Sequence, residues 1–158
     1  MNFRKWACLF LVVLICLGII SARTGTTAPF SQPHAVPQES PRIEFITAEE
    51  LKAKLEKGEP VTVLDVRGSS DIANSESKIK GAIHVKLRRL KSRLALPPLN
   101  NISRNSEVVL YCACPNDEAS IRGAEILLDS GFKRVHALKG GWVAWKKGHG
   151  QIESRSRG

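Results

Sequence analysis

Val108-Val109-Leu110-Tyr111-Cys112-Ala113-Cys114-Pro115-Asn116-Asp117-Glu118-Ala119-Ser120 carries an apolar strand straight into two cysteines, a short polar loop and the start of a helix. The run from Val108 to Cys112 is apolar throughout and rich in β-branched residues, the pattern of a strand covered on both faces. Beyond the loop, Ile121, Ala124, Leu127 and Leu128 recur at helical spacing until Gly131 stops the pattern. A thiol seated between such a strand and such a helix lies under amides that point inward and carry partial positive charge. Those amides favour a thiolate or persulfide over a neutral thiol.

The flanking sequence alternates strands with helices. Glu44 to Ile46 reads as a short strand, and Thr47 with Glu50 forms a capping box that opens a helix with Leu51 and Leu55 on its apolar face, ending near Gly58. Val61 to Val66 is a second strand and Ala82 to Val85 a third. Val85 to Leu96 reads as a basic helix, and Val135 to Leu138 is the last strand before Gly140-Gly141 turns into a helix with Trp142, Val143 and Trp145. Strands separated by helices predict an α/β fold of three layers, a mostly parallel sheet of about five short strands with helices on both faces. Ligands bind such sheets at the carboxyl ends of the strands, where Cys112 and Cys114 fall.

A chain of 158 residues with 42% hydrophobic and 25% charged residues holds one modest domain plus appendages. Arg4 and Lys5 precede an apolar run from Trp6 to Ile20, the pattern of a signal peptide or an N-terminal membrane anchor over 1–22, with both outcomes open. Either predicts an extracytoplasmic, periplasmic or secreted, domain with Arg4 and Lys5 on the cytoplasmic side. Cys16 follows Ile15, not a small residue, so lipidation is not expected. Residues 23–42 read as a Pro-, Ser- and Thr-rich linker, 43–150 as the domain and 151–158 as a frayed polar tail. The net charge of +9 gathers partly on Lys86, Arg88, Arg89, Lys91 and Arg93. A solvated helix face explains that cluster better than a membrane or polyanion surface. No aromatic residues interleave with it, and an exported chain rarely meets nucleic acid, so that partner is excluded.

Leu64-Asp65-Val66-Arg67, Ile79-Lys80-Gly81-Ala82-Ile83, Val108 to Cys112, Gly131-Phe132 and Leu138-Lys139-Gly140-Gly141-Trp142 with Trp145 occur in that order. This series resembles the successive signatures of a single rhodanese domain, the sulfurtransferase family, over roughly Ile43 to Lys147. The resemblance implies a cysteine that takes sulfane sulfur from a donor such as thiosulfate or a persulfide. It passes the sulfur, as a persulfide, to a thiol or cyanide-like acceptor. No metal or organic cofactor is implied, and a monomer is expected. Two registers compete for the carrier: adjacency to the strand selects Cys112, whereas counting back from Ser120 and Gly131 selects Cys114, toward which the reading leans. Asn116, Ser120, Arg122 and Arg67 are the expected donor contacts. Asp65 is expected to give structural support, most simply as a buried ion pair with Arg67.

The chain departs from the family pattern. Pro115 removes one amide donor from the loop, and Asp117 and Glu118 stand where a basic residue is usual, opposing a thiolate and repelling thiosulfate. Arg122 would offset part of this, and a less charged persulfide becomes the better donor. The family's histidine-bearing turn reads Ser77 to Ala82 without its histidine, and Lys78 is given no role. Phosphatase chemistry would need an arginine six places after the cysteine, where Glu118 or Ser120 stands. His84, His136 and His149 lack ligand or triad spacing, and Trp142 and Trp145 read as core anchors. A zinc site would need about four ligands and finds two thiols. The alternatives to sulfur transfer are a Cys-x-Cys dithiol exchanging electrons in an oxidising compartment and a catalytically silent binding module.

Overall fold

The computed structural model describes residues 43–155, so the expected signal or anchor and the linker lie outside the described residues. The chain runs β1 (Glu44–Ile46), α1 (Ala48–Glu56), β2 (Val61–Asp65), α2 (Ser69–Ala73), β3 (Ser77–Ile79), β4 (Ile83–His84), α3 (Leu90–Arg93), β5 (Glu107–Tyr111), α4 (Glu118–Asp129), β6 (Arg134–Leu138), α5 (Gly141–Lys147) and β7 (Ile152–Ser154). Five strands form one parallel sheet in the order β1-β6-β5-β2-β4. All five residues of the central strand β5 are buried, which is why its sequence shows no polar alternation.

The alternation of side chains along the strands splits the core in two. Leu64, Val108, Leu110 and Cys112 pack against Leu90 of α3 and Ala124 and Leu127 of α4. Val63, Val109 and Tyr111 face the other way, onto Leu51 of α1 and Trp142 and Trp145 of α5. Each large side chain so buried contributes roughly 1.5–3 kcal/mol. The capping box is formed as expected: Thr47 Oγ1 accepts from the Glu50 amide at 3.2 Å, and Glu50 accepts from the Thr47 amide at 2.9 Å. Those hydrogen bonds, backbone first, hold the Glu50 carboxyl below its ordinary range.

Two local expectations are corrected. The helix expected from Val85 to Leu96 is a 3-10 turn, Leu87–Arg89, followed by the short α3. The helix cannot start before Leu87 because Lys86 is extended, at φ −62° and ψ 127°, while the Val85 amide donates to the Asp65 carbonyl at 3.0 Å and continues the sheet edge. Leu90 and Leu94 still reach the core, leaving Arg88, Arg89, Lys91 and Arg93 in solvent. The helix α2 and strand β3 leave no signal in the sequence, being too short to show a period.

The polar tail is also not frayed where it is described. Ile152–Ser154 pairs antiparallel with Ser77–Ile79, supported by a Lys78 to Glu153 ion pair at 2.8 Å. Just before it, the Gln151 carbonyl accepts from Trp145 Nε1 at 3.1 Å. Ending the chain after Gly150 is therefore expected to lower stability by about 1–2 kcal/mol in urea unfolding, where a frayed tail would change nothing. Among the described residues no helix is long and apolar enough to cross a membrane.

Candidate active site

Strand β5 delivers the chain to the carboxyl edge of the sheet at its centre, and Cys112 is the first residue beyond it. Its side chain is 1% exposed and belongs to the core on the α4 side, with Sγ 3.8 Å from Ser120 Oγ. Two residues on, Cys114 is partly exposed. Its Sγ accepts the Ala119 amide at 3.3 Å, a donor in the first turn of the 12-residue α4. The amide expected beneath a reactive sulfur is thus present, and it serves Cys114. The two cysteines are joined as a disulfide across a Cα separation of 5.7 Å.

The loop reaches α4 through two consecutive left-handed residues, Asn116 at φ 59° and Asp117 at φ 56°. Asn and Asp tolerate this region better than other residues with a Cβ, and each still costs on the order of 1 kcal/mol. What holds them is Asp117. Its buried carboxylate accepts the Gly140 amide at 2.7 Å, and its carbonyl accepts the Ser120 hydroxyl at 2.8 Å. Asp117, expected to oppose the thiolate, also brackets the loop to the next one through this carboxylate. Glu118 is exposed, as is Asn116.

The bracket is completed from α5. The Trp142 amide donates to the Cys112 carbonyl at 2.8 Å, and Gly140 and Gly141 take φ of 71° and 46° to bring it there. A Cβ on Gly141 would collide with that same carbonyl oxygen. Gly141→Ala is therefore expected to lose about 2–3 kcal/mol, from left-handed strain plus overpacking, and to loosen the cysteine loop. Urea unfolding reads the first effect and faster alkylation of the reduced thiols the second.

Asp65 and Arg67 form the second layer. Arg67 has no exposed atoms; its Nε and Nη2 donate to the Asp65 carboxylate at 2.9 and 2.8 Å, and Nη2 also donates to the Ser77 carbonyl at 2.9 Å. Its guanidinium carbon lies 5.4 Å from the Tyr111 ring centroid and 4.5 Å from that of Trp142. Burial alone would raise the Asp65 carboxyl, but the neighbouring His84 ring, hydrogen bonds from Arg67 and the Arg67 charge hold it well below the usual carboxylate range. Burial, with the Asp65 charge, pushes the Tyr111 phenol above its ordinary value, so its hydroxyl stays neutral and accepts the Ile79 amide at 3.2 Å.

Of the expected site residues, then, the fold brings Cys112, Cys114, Asn116 and Ser120 together. Ser120 is fully buried, its hydroxyl committed to Asp117. Arg67 is withdrawn from any donor contact and instead backs Trp142, because its fork is matched by Asp65 inside the core. Asp65 gives the support expected of it. Arg122 is exposed on α4, with no ion pair among the described residues. The reading of the sequence missed Asp117, Gly140 and Gly141 as builders of the site; the adjacent glycines before Trp142 were their signal. Among the described residues no three of His, Cys, Asp or Glu are placed to hold a metal ion.

The model of the rhodanese-like domain matches residues 47–148. A protein named "Sulfurtransferase" from Allochromatium vinosum is 29% identical over 108 residues, covering 68% of this chain and 92% of that protein. A "Putative sulfurtransferase" from Bacillus subtilis is 27% identical over 104 residues, covering 66% of this chain and 91% of its own. Among solved structures, the rhodanese-like domain of an Anabaena sp. protein is 31% identical with a TM-score of 0.60, covering 74% of this chain and 85% of that one.

Proposed function

Because the chain belongs to the rhodanese-like family, we propose that it is a sulfurtransferase that carries sulfane sulfur as a persulfide on Cys114. The observation that supports this most is the Ala119 amide on Cys114 Sγ at the start of α4, at the centre of the sheet's carboxyl edge. That donor stabilises an anionic sulfur, and partial exposure lets a donor molecule reach it. Asp117 is hydrogen-bonded to Gly140 and Glu118 is exposed, so a persulfide less charged than thiosulfate is the better donor, with thiosulfate the second. Thiols and cyanide are the acceptors.

The test charges the reduced full chain carrying Cys112→Ser with thiosulfate or glutathione persulfide and then adds cyanide. A gain of one sulfur by intact mass, returned as thiocyanate, supports the proposal. Failure of both Cys112→Ser and Cys114→Ser to gain sulfur on this loop overturns it and leaves a silent binding module. The bonded pair favours a second reading, a dithiol that exchanges electrons with external thiols. Reversible loss of two hydrogens under redox titration, without sulfur gain, would select that reading alone. The same proposal places the domain outside the cytoplasm, held or released by residues 1–22; a reporter that works only after export, fused behind Gly158, tests it.

A further inference from the structure

We propose that the cysteine pair confers a further activity: Cys112 resolves the persulfide on Cys114 and releases its sulfur as hydrosulfide. The inference rests on the sulfurtransferase reading and extends it from moving sulfane sulfur to reducing it.

Three observations carry it. The two sulfurs stand in bonding position across a Cα separation of 5.7 Å, so a sulfur on either can be attacked by the other without rearranging the fold. Their environments differ: Cys114 is partly exposed and has the Ala119 amide, while Cys112 is 1% exposed and walled by the core. A donor molecule can therefore meet Cys114, whereas the thiol of Cys112 has Cys114 as its accessible electrophile. Finally, Cys112 is fixed from behind, its carbonyl held by the Trp142 amide at 2.8 Å and its side chain seated in the core. An attacking group so held competes well with a free acceptor, since even a flexibly tethered thiol acts at an effective concentration of about millimolar and a prepositioned one far above it.

The steps balance. A donor persulfide gives its outer sulfur to the Cys114 thiolate and leaves as a thiol. The Cys112 thiolate then attacks the inner sulfur, Sγ of Cys114; the Cys112–Cys114 bond forms, the bond to the outer sulfur breaks, and that sulfur departs with the electron pair as hydrosulfide. The outer sulfur is reduced by two electrons, supplied by the two cysteines, which end as the disulfide. An external dithiol reduces that disulfide, becoming one itself, and restores both thiols. Over the cycle one persulfide and one dithiol give one thiol, one hydrosulfide and one new disulfide.

The experiment follows a single charging of the reduced full chain under anaerobic conditions, with glutathione persulfide or thiosulfate and no added reductant. Wild type is expected to release about one hydrosulfide per chain and to end two hydrogens lighter, with the thiols of Cys112 and Cys114 closed to alkylation. Cys112→Ser, with Cys112→Ala as a second variant of different polarity, is expected to keep the added sulfur and release less than about a tenth as much. The variants also correct for sulfide set free by the thiol product of the donor. Wild type that retains the extra sulfur beside an open Cys112 thiol overturns the inference and leaves sulfur transfer standing. Equal release from wild type and the Cys112 variants does the same. If no form of the protein gains sulfur, both readings fall together.

Discussion

Cys114→Ser is expected to lower sulfur loading from thiosulfate or a persulfide by more than about a thousandfold, while Cys112→Ser keeps it. The serine oxygen preserves the size of the side chain and still accepts the Ala119 amide, so the loop and α4 should be undisturbed. What is lost is the polarisable nucleophile that ionises near neutrality; a hydroxyl in the same place stays protonated and forms no persulfide. Cys112→Ser puts a hydroxyl into the core, but Ser120 Oγ stands 3.8 Å from the sulfur it replaces and can partner it. Intact mass and thiocyanate formation read the loading, and circular dichroism checks that both variants fold. The opposite pattern, with loading lost in Cys112→Ser alone, would move the carrier to the residue that directly follows β5. It would leave the partly exposed sulfur of Cys114 in the resolving role.

The features of the sequence that proved legible are those in which the local signal and the tertiary context agree. The continuous apolar run of β5 announces a strand with both faces covered, and the sheet centre is where such a strand belongs. Thr47 and Glu50 satisfy each other within one turn, so nothing distant could override the helix start. The basic helix was misread at its beginning because Leu87, Leu90 and Leu94 keep helical spacing whether the chain between them is α or 3-10. What excludes a helix at the start is the backbone of Lys86, extended at ψ 127° beyond the sheet-edge bond from the Val85 amide to the Asp65 carbonyl. Strands β3 and β7 lie more than seventy residues apart and are three residues each, so neither carries a period and only their pairing makes them strands.

The site divides in the same way. That a cysteine would sit where β5 meets α4 follows from the order of residues alone. The direction in which Asp117 points does not, because nothing in the loop's own sequence shows that its carboxylate takes the Gly140 amide beyond the next strand. Arg67 shows the same limit from the other sign. A guanidinium near an expected anion site invites a contact role, and only its enclosure by Asp65, Tyr111 and Trp142 turns it into a support.

That support should be large. Arg67→Met is expected to destabilise the domain by about 3–5 kcal/mol at pH 7, because it leaves the Asp65 carboxylate buried and stripped of its forked partner. The pH dependence gives a sharper reading than the magnitude. In wild type the Asp65 carboxyl titrates below its unfolded value of about 4. Its contribution to stability is therefore fully present above pH ~4 and is lost as pH falls toward the lower, folded-state value. Without Arg67 the balance reverses: burial dominates, the folded-state value rises above the unfolded one, and the folded chain holds a proton that the unfolded chain has released. The deficit of the variant relative to wild type should accordingly shrink as pH is lowered from 7 toward 4. Urea unfolding of both chains at pH 7, 6 and 5 measures the gap. A gap that stays constant would mean that Arg67 acts through its packing on Tyr111 and Trp142 alone. The paired change Asp65→Asn with Arg67→Met separates the two effects: removing both charges should recover part of the loss if the unpaired carboxylate causes it, and none if the lost stacking does.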